Sequence, residues 1–338
     1  MFDTAPQFQC PACQAWGPVV PETTDCTACK APFPRTEGIL DLRADRSRDT
    51  LLDLDSYDAD HGVGQASRRI ATTYARLLQG AGVARAAHVL EIGAGSGNLT
   101  LGLAQEPYFE SILSTDISAG FLKRLIGRLS DTGAGNVSLA LVDGNSLPFH
   151  PGGFDAVIGH SILHHIARFE DTLAQCHKLV RPGGACVFGE PILDIHAFAS
   201  LLAQNILLAA EMSGHVFGKK ERQVLTAVAG RSAIKHGNLM GDRDALAQVE
   251  DKFQFSIDRM AELGRSLGFS EVTCLNRGTK MPLGLRAMDM LRRVCGQMKL
   301  DPGFLTPFDG FAEALSTTYG TPLGLSDRVQ FGFFVFRK

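Results

Sequence analysis

Short apolar runs alternate with helix-periodic segments along the chain from about residue 67. The runs AHVLEIG, SILSTDIS, VSLALVDG, FDAVIGHS and GACVFGEP are predicted strands. The segments between them, such as AGFLKRLIGRLSDTG, have the apolar period of amphipathic helices. This alternation predicts an α/β fold with a doubly wound, mostly parallel sheet, in which ligands bind at the carboxyl ends of the strands.

Two segments interrupt the alternation, at about 195–255 and about 277–327, and both are predicted to be helical insertions. Two such insertions favour a lid over an enclosed pocket, which suits a small-molecule acceptor better than a folded RNA. The longest apolar stretch, residues 192–212, is interrupted by polar or charged side chains, among them Asp194, Gln204, Asn205 and Glu211. We therefore expect a buried or lid helix there and no membrane span.

The N-terminus carries two cysteine pairs, CPAC and CTAC, which place Cys10, Cys13, Cys26 and Cys29 twelve residues apart as pairs. Two such knuckles are typical of a tetrahedral zinc site, and four thiolates leave no open position, so the zinc is expected to be structural. A redox role lacks the βαβ context that it requires. We predict a zinc ribbon and linker over residues 1–45 and a main domain over residues 46–338.

Composition narrows the class of partner. The 338 residues carry a formal net charge of −3, which gives no overall basic excess for binding nucleic acid. The first residues show neither a basic region nor an apolar core of an export signal, so we expect a cytoplasmic protein without disulfides. RNA stays a less favoured partner.

A glycine loop follows the first strand of the alternation. Gly93, Gly95 and Gly97 form G-x-G-x-G, which is tighter than the dinucleotide fingerprint G-x-G-x-x-G. Glu91 lies inside the preceding strand, and Asp116 and Asp143 end the next two strands. Each feature alone is also explained by close packing or helix capping. As an ordered set they favour an adenosine ligand other than NAD.

Residues 57–191 resemble the class I S-adenosylmethionine-dependent methyltransferases, through VLEIGAGSGN, STDIS, LVDGNSLPF, FDAVIGHSILHHI and LVRPGG in that order. The resemblance implies a seven-stranded sheet whose last two strands form an antiparallel pair. It also implies S-adenosylmethionine as cofactor. The loop would pass under its methionine part, Asp116 would bind the ribose, and Asp143 would meet the adenine edge. The full implied set is Tyr57, Glu91, Gly93, Ala94, Gly95, Gly97, Asp116, Ile117, Asp143, Gly144 and His160.

The acceptor is expected beyond the fourth and fifth strands, where His164, His165 and Glu190 are candidates for acid–base catalysis. The leading hypothesis is methyl transfer to an oxygen or nitrogen of a small molecule. The alternatives are a methyltransferase acting on bases of rRNA or tRNA, other chemistry of the same cofactor such as cyclisation, and a non-catalytic adaptor.

Overall fold

The computed structural model describes residues 6–18, 24–50, 53–61, 65–276, 278, 281–320, 322 and 328–338. In those ranges the strands are β1 (Gln7–Gln9), β2 (Trp16–Pro18), β3 (Arg35–Thr36), β4 (Ile39–Asp41), β5 (Ala86–Ile92), β6 (Phe109–Asp116), β7 (Val137–Leu141), β8 (Phe154–His160), β9 (Val180–Pro191), β10 (Glu271–Leu275) and β11 (Phe331–Arg337). The α-helices are α1 (Leu54–His61), α2 (Gln65–Gly80), α3 (Thr100–Leu103), α4 (Ala119–Thr132), α5 (Phe169–Leu179), α6 (Leu193–Ser213), α7 (Lys219–Met240), α8 (Ile257–Ser266), α9 (Leu283–Gln297) and α10 (Asp309–Leu315).

The main sheet has the strand order β10-β11-β9-β8-β5-β6-β7-β4-β3. Strands β9, β8, β5, β6, β7 and β4 are parallel, whereas β10, β11 and β3 run antiparallel to their neighbours. The predicted α/β fold and the antiparallel final pair are confirmed, although a long insertion separates β10 from β11. The carboxyl ends of β5, β6, β7 and β8 therefore meet at one edge of the sheet.

Helix α4 shows how the local sequence sets an element that borders this edge. Ser118 caps its start, with its hydroxyl accepting from the amide of Phe121 at 3.4 Å. Gly133 ends the helix in the left-handed conformation, at φ 68°. The apolar face of α4 packs on β6 and β7 through Leu122 and Leu125, which are fully buried.

The helical insertions build a second core beside the sheet. Helices α6, α7 and α9 pack against one another, and their buried side chains form an apolar cluster separate from that of the sheet. Helix α6 has the length and apolar composition of a membrane-spanning helix, but 44% of that stretch is buried inside the protein. Helix α6 therefore packs within the protein, as predicted for a buried or lid helix.

Two predictions differ from the structure at the N-terminal segment: the domain boundary at residue 45 and the number of strands in the main sheet, which was expected to be seven. Strand β4 pairs in parallel with β7, and β3 pairs with β4, so residues 35–41 extend the main sheet to nine strands. The apolar run GILDL drives this, because Ile39 and Leu40 are buried there. Strand β1 also contacts the main domain, since the amide of Gln9 donates to Pro148 O at 2.9 Å.

A buried ion pair ties this segment to the sheet. The guanidinium of Arg43 donates to both carboxylate oxygens of Asp41, at 2.8 and 3.0 Å, and both side chains are almost fully buried. The same guanidinium donates to the carbonyl oxygens of Arg48 and Ile117, at 2.8 and 2.9 Å. Burial disfavours the charge on Asp41, yet the hydrogen bonds from Arg43 and Thr36 hold its pKa below the ordinary value.

We expect Arg43→Ala to lower the free energy of unfolding by about 3–5 kcal/mol, because Asp41 would keep a buried charge without its partner. Urea denaturation followed by circular dichroism measures this change. Arg46→Ala, in the same segment but exposed, should change it by less than about 0.5 kcal/mol. Equal effects of the two variants would show that the buried pair is not what anchors the segment.

Candidate functional site

The glycine loop after β5 is a bend that only glycine can make. Gly93 has φ +74°, and a Cβ built on it would lie 2.5 Å from the side chain of Ile162. Gly97 has φ +104°, with a built Cβ 2.6 Å from Leu125. Both the left-handed backbone and the missing space exclude a side chain. The bend therefore presents bare backbone to the edge where the strands end.

Asp116 fixes this bend at the end of β6. One carboxylate oxygen accepts from the amide of Gly95 at 2.8 Å, and the other accepts from the amide of Ser118 at 2.8 Å. Burial raises the pKa of Asp116, and the amide donors partly offset that rise. The carboxylate thus lies at the floor of the cleft where the resemblance places a ribose.

Asp143 follows β7 and faces the same cleft. Its Oδ1 accepts from the amide of Asn145 at 2.9 Å, and its Oδ2 pairs with the guanidinium of Arg48. The neighbouring Gly144 has no room for a side chain, since a built Cβ would lie 2.7 Å from Ile166. Arg48 comes from the segment expected to be a linker, and nothing in its local sequence indicated that it borders the site.

Glu91 is enclosed beneath the loop. Its Oε2 accepts from the hydroxyls of Ser114 and Thr100, at 2.5 and 2.8 Å. Its Oε1 is buried and, within the described residues, has no hydrogen-bond partner. Burial raises the pKa of Glu91 to about 7. A buried carboxylate oxygen without a partner is rare in proteins, which fits a site completed by a ligand.

Tyr57 covers the loop from helix α1. Its hydroxyl lies 3.3 Å from a Cβ built on Gly95, and its ring packs edge-on against Phe121 at 4.9 Å. This is the position in which the resemblance puts an aromatic side chain over the cofactor. Its contact with a bound ligand stays a prediction.

The glycine bend and the ends of β6 and β7 line a cleft that is partly open to solvent, and the segment at Arg48 forms its opposite side. Of the predicted cofactor residues, five line it directly: Gly93, Asp116, Ile117, Asp143 and Gly144. Glu91, Ala94, Gly95 and Gly97 belong to the strand and bend that form its floor. The space free of side chains and the incompletely bonded Glu91 fit an adenosyl cofactor with an amino-acid tail.

His160 is placed differently from the expectation. Its Nδ1 lies 3.1 Å from the hydroxyl of Tyr74, and its ring packs against Phe331 at 4.9 Å. It is absent from the lining of the cleft. The physical reason is that β8 ends here with the side chain of His160 turned toward β9 and β11, while Ile162 turns back over the glycine bend.

A second cavity, of about 470 Å³, adjoins the cleft, and His165 and Glu250 line both. Helix α7 supplies Arg231 and Lys235 to its wall, and the segment after it supplies Asp251. Burial lowers the pKa of Lys235 to about 8. Sequence reasoning missed these residues, because the insertion carries no motif and only the fold brings it to the end of β8.

His164 and Glu190 form a buried pair between the two cavities and the sheet. Glu190 Oε2 lies 2.6 Å from Nδ1 of His164, and its Oε1 accepts from the amides of Ile162 and Leu163 at 3.0 and 2.7 Å. Burial disfavours a charged imidazole, yet the carboxylates of Glu190 and Asp251 outweigh it and raise the pKa of His164 to about 9. Glu190 is fully buried behind His164. It therefore does not reach the acceptor side, contrary to the expectation that it acts there as an acid or base.

The four N-terminal cysteines converge as predicted. Sγ of Cys10 lies 3.9 Å from that of Cys29, and Sγ of Cys13 lies 3.7 Å from that of Cys26. Zn–S bonds of 2.3 Å at tetrahedral angles separate the sulfur atoms by about 3.8 Å. Two similar turns carry the four cysteines. Each turn is closed by a hydrogen bond of 2.9 Å, from Gln14 N to Cys10 O in the first and from Lys30 N to Cys26 O in the second. The thiols thus fit one tetrahedral metal ion.

The strand order and the cleft at the ends of β5, β6 and β7 define a class I S-adenosylmethionine-dependent methyltransferase. The profile of the family described as "Methyltransferase domain" matches residues 89–184. The chain is 33% identical over 186 residues to the ubiquinone/menaquinone biosynthesis C-methyltransferase UbiE of Azotobacter vinelandii, covering 49% of this chain and 74% of that protein. The chain belongs to this family of enzymes, and S-adenosylmethionine is its cofactor.

The chain is also similar to part of a much larger enzyme and to a solved structure of low sequence identity. The chain is 35% identical over 112 residues to the highly reducing polyketide synthase bet1 of Neocamarosporium betae, which is 32% of this chain but 4% of that synthase. Among solved structures, a putative sarcosine dimethylglycine methyltransferase of Galdieria sulphuraria is similar at 14% identity and a TM-score of 0.47, covering 80% of this chain and 85% of the other.

We expect Gly93→Ala to weaken binding of S-adenosylhomocysteine at least tenfold, because the new methyl group meets Ile162 and the backbone resists positive φ. Isothermal titration calorimetry measures the affinity. Gly133→Ala is the matched control, since it has φ +68° but open space around a built Cβ. That variant should lose about 1 kcal/mol of stability and keep its affinity. An unchanged affinity in Gly93→Ala would contradict the placement of the cofactor.

Proposed function

We propose that this enzyme transfers a methyl group to an oxygen or nitrogen atom of a small molecule held in the cavity beside the cofactor cleft. The shared wall of the two cavities, formed by His165 and Glu250, is the observation that carries the proposal. The cofactor supplies an already activated methyl group, so holding the acceptor in line supplies much of the rate. The helical insertion covers the acceptor and limits its size.

The histidines of the wall are proposed to act on the acceptor. An oxygen or nitrogen acceptor gives up a proton on methylation, and the imidazole groups close to it offset the negative charge that develops. Glu190 acts through His164 as a positioning residue, because its hydrogen bond to Nδ1 directs Nε2 away from the sheet. His165 lies at the boundary between the cavities, next to Glu250 at 3.1 Å.

Methylation of carbon is a second candidate, supported by the identity to UbiE, whose name describes a C-methyltransferase. An acidic carbon acceptor also loses a proton to a nearby group, so the same wall serves either outcome. RNA is less favoured, because the net charge is −3 and Arg231 and Lys235 line an interior wall beside Asp251. Cyclisation of the cofactor needs no acceptor cavity.

The acceptor class is tested by incubating the enzyme with ¹³C-methyl-labelled S-adenosylmethionine and panels of hydroxyl compounds, amines, quinols and bulk RNA. We expect a labelled small molecule, and its ¹³C chemical shift distinguishes methyl on oxygen, nitrogen and carbon. His165→Gln should lower kcat about 10²-fold or more, whereas His150→Gln, an exposed histidine, should not. Label found only in RNA would refute the proposal.

We also infer that the N-terminal thiols hold one structural zinc ion, since the four sulfur atoms are spaced for it and leave no open position. The ion would order the segment that carries Phe8, which is fully buried against the main domain. A cytoplasmic location stays a prediction.

Replacing Cys13 tests this zinc site. Cys13→Ser removes one thiolate, so the cobalt-substituted protein should lose most of its sulfur-to-cobalt charge-transfer absorption and give up its metal to a chelator at least tenfold faster. Cys274→Ser, on β10, is the control and should retain both properties. A wild-type protein that binds no cobalt through sulfur would disprove the inference.

A further inference from the structure

We propose that His164, His165 and Asp251 bind a divalent transition-metal ion on the wall between the cofactor cleft and the acceptor cavity. One atom of each side chain converges there, all within 4.8 Å of one another. The ion would be distinct from the zinc of the N-terminal cysteines. Its role in holding the acceptor rests on the proposed function, whereas its binding does not.

The donor atoms are spaced almost as a bound ion requires. Oδ1 of Asp251 lies 3.6 Å from Nε2 of His164 and 3.9 Å from Nδ1 of His165. Ligands at 2.0–2.2 Å from one ion lie about 3.0–3.5 Å apart. The two contacts of Asp251 therefore need to shorten by a few tenths of an ångström, and its side chain has the freedom for it because it is 63% exposed. The donor nitrogens of the two histidines lie within 4.8 Å of each other and approach further when an ion is bound.

The surroundings of the two histidines resemble those of metal ligands. Glu190 bonds to Nδ1 of His164, which leaves Nε2 as the free donor, and such carboxylate–histidine pairs orient metal ligands in proteins. Nδ1 of His165 lies 3.1 Å from both the backbone oxygen and Oε1 of Glu250, so it gives up the contact with the backbone oxygen when it binds the ion, and Oε1 is placed to join the set. The segment itself is anchored, since the amide of Lys252 donates to His164 O at 2.8 Å.

An ion pair without metal explains the cluster less well. Both contacts of Asp251 with the imidazoles are longer than a hydrogen bond, so one proton satisfies neither. Lys235 and Arg231 also face this cavity and balance part of its negative charge. An ion between Nε2 of His164, His165 and Asp251 would replace these long contacts with direct bonds, while Glu190 stays bonded to the opposite nitrogen of His164.

The donor set indicates the kind of metal and of acceptor. The imidazoles suit zinc, iron or nickel better than magnesium or calcium, and the carboxylates also suit manganese. Three or four protein ligands beside an open cavity leave positions for the acceptor. An acceptor with a hydroxyl beside a second oxygen would fit. Its bound O–H bond breaks, the oxygen keeps the electron pair, and the proton leaves to water, which the cation favours by lowering the pKa of the hydroxyl.

Manganese binding to the full chain loaded with one equivalent of zinc, enough for the four cysteines alone, tests the site, with free Mn²⁺ counted by electron paramagnetic resonance. We expect one manganese ion per chain. Asp251→Asn should raise its Kd at least about tenfold, and His165→Gln should do the same. Asp244→Asn is the matched control, because it is also an exposed aspartate of the insertion but pairs with Arg168 at 2.9 Å.

No manganese bound by the wild-type chain, or the same Kd in Asp251→Asn as in Asp244→Asn, would overturn the site. Circular dichroism of each variant excludes unfolding as the cause of weaker binding. Methyl transfer is measured separately in the same preparations with and without chelator. Label transfer that persists without bound manganese would leave the proposed function standing, whereas manganese binding without any labelled acceptor would leave only the site.

Discussion

The carboxylate of Asp116 is the constraint on which the cofactor cleft depends. It holds the glycine bend against the end of β6, by accepting from the amides of Gly95 and Ser118. The bend in turn has no space for a side chain at Gly93. Asp116, which the resemblance assigns to the ribose, therefore also holds the glycine bend in place beside the expected ligand. Fold and binding cannot be separated at this position, because removing the carboxylate frees two amides of the cleft.

The N-terminal segment extends this arrangement from the opposite side. Arg43 donates to the carbonyl oxygens of Ile117, next to Asp116, and of Arg48, whose side chain pairs with Asp143. A segment that follows the cysteine ribbon thus forms one wall of the cofactor cleft. Its buried ion pair costs desolvation energy that apolar residues would not. We attribute its presence to positioning, since the guanidinium fixes a loop that has little apolar surface of its own.

The sequence predicted the parts of the site that are local. The glycine bend, Asp116 and Asp143 each directly follow a strand, so strand order alone brings them together. It did not predict Arg48, Lys235 or Asp251, because these are joined to the site only by tertiary packing. The boundary at residue 45 was wrong for the same reason, since the two residue pairs between β4 and β7 that join the N-terminal segment to the sheet leave no periodic signal. His160 was misplaced because the direction of a side chain at a strand end depends on its neighbours.

The placement of Glu190 shows why the helical insertion and the histidine turn form one wall. A fully buried carboxylate at the end of β9 is costly, and three donors, two amides and the imidazole of His164, are needed to compensate it. The result is a rigid histidine turn whose free nitrogen is aimed away from the sheet. This nitrogen, Nε2 of His164, lies 3.6 Å from Oδ1 of Asp251, a residue of the insertion. The sheet therefore supplies a fixed imidazole and the insertion supplies its partner, so changes in the insertion alter the chemistry of the wall as well as the shape of the cavity.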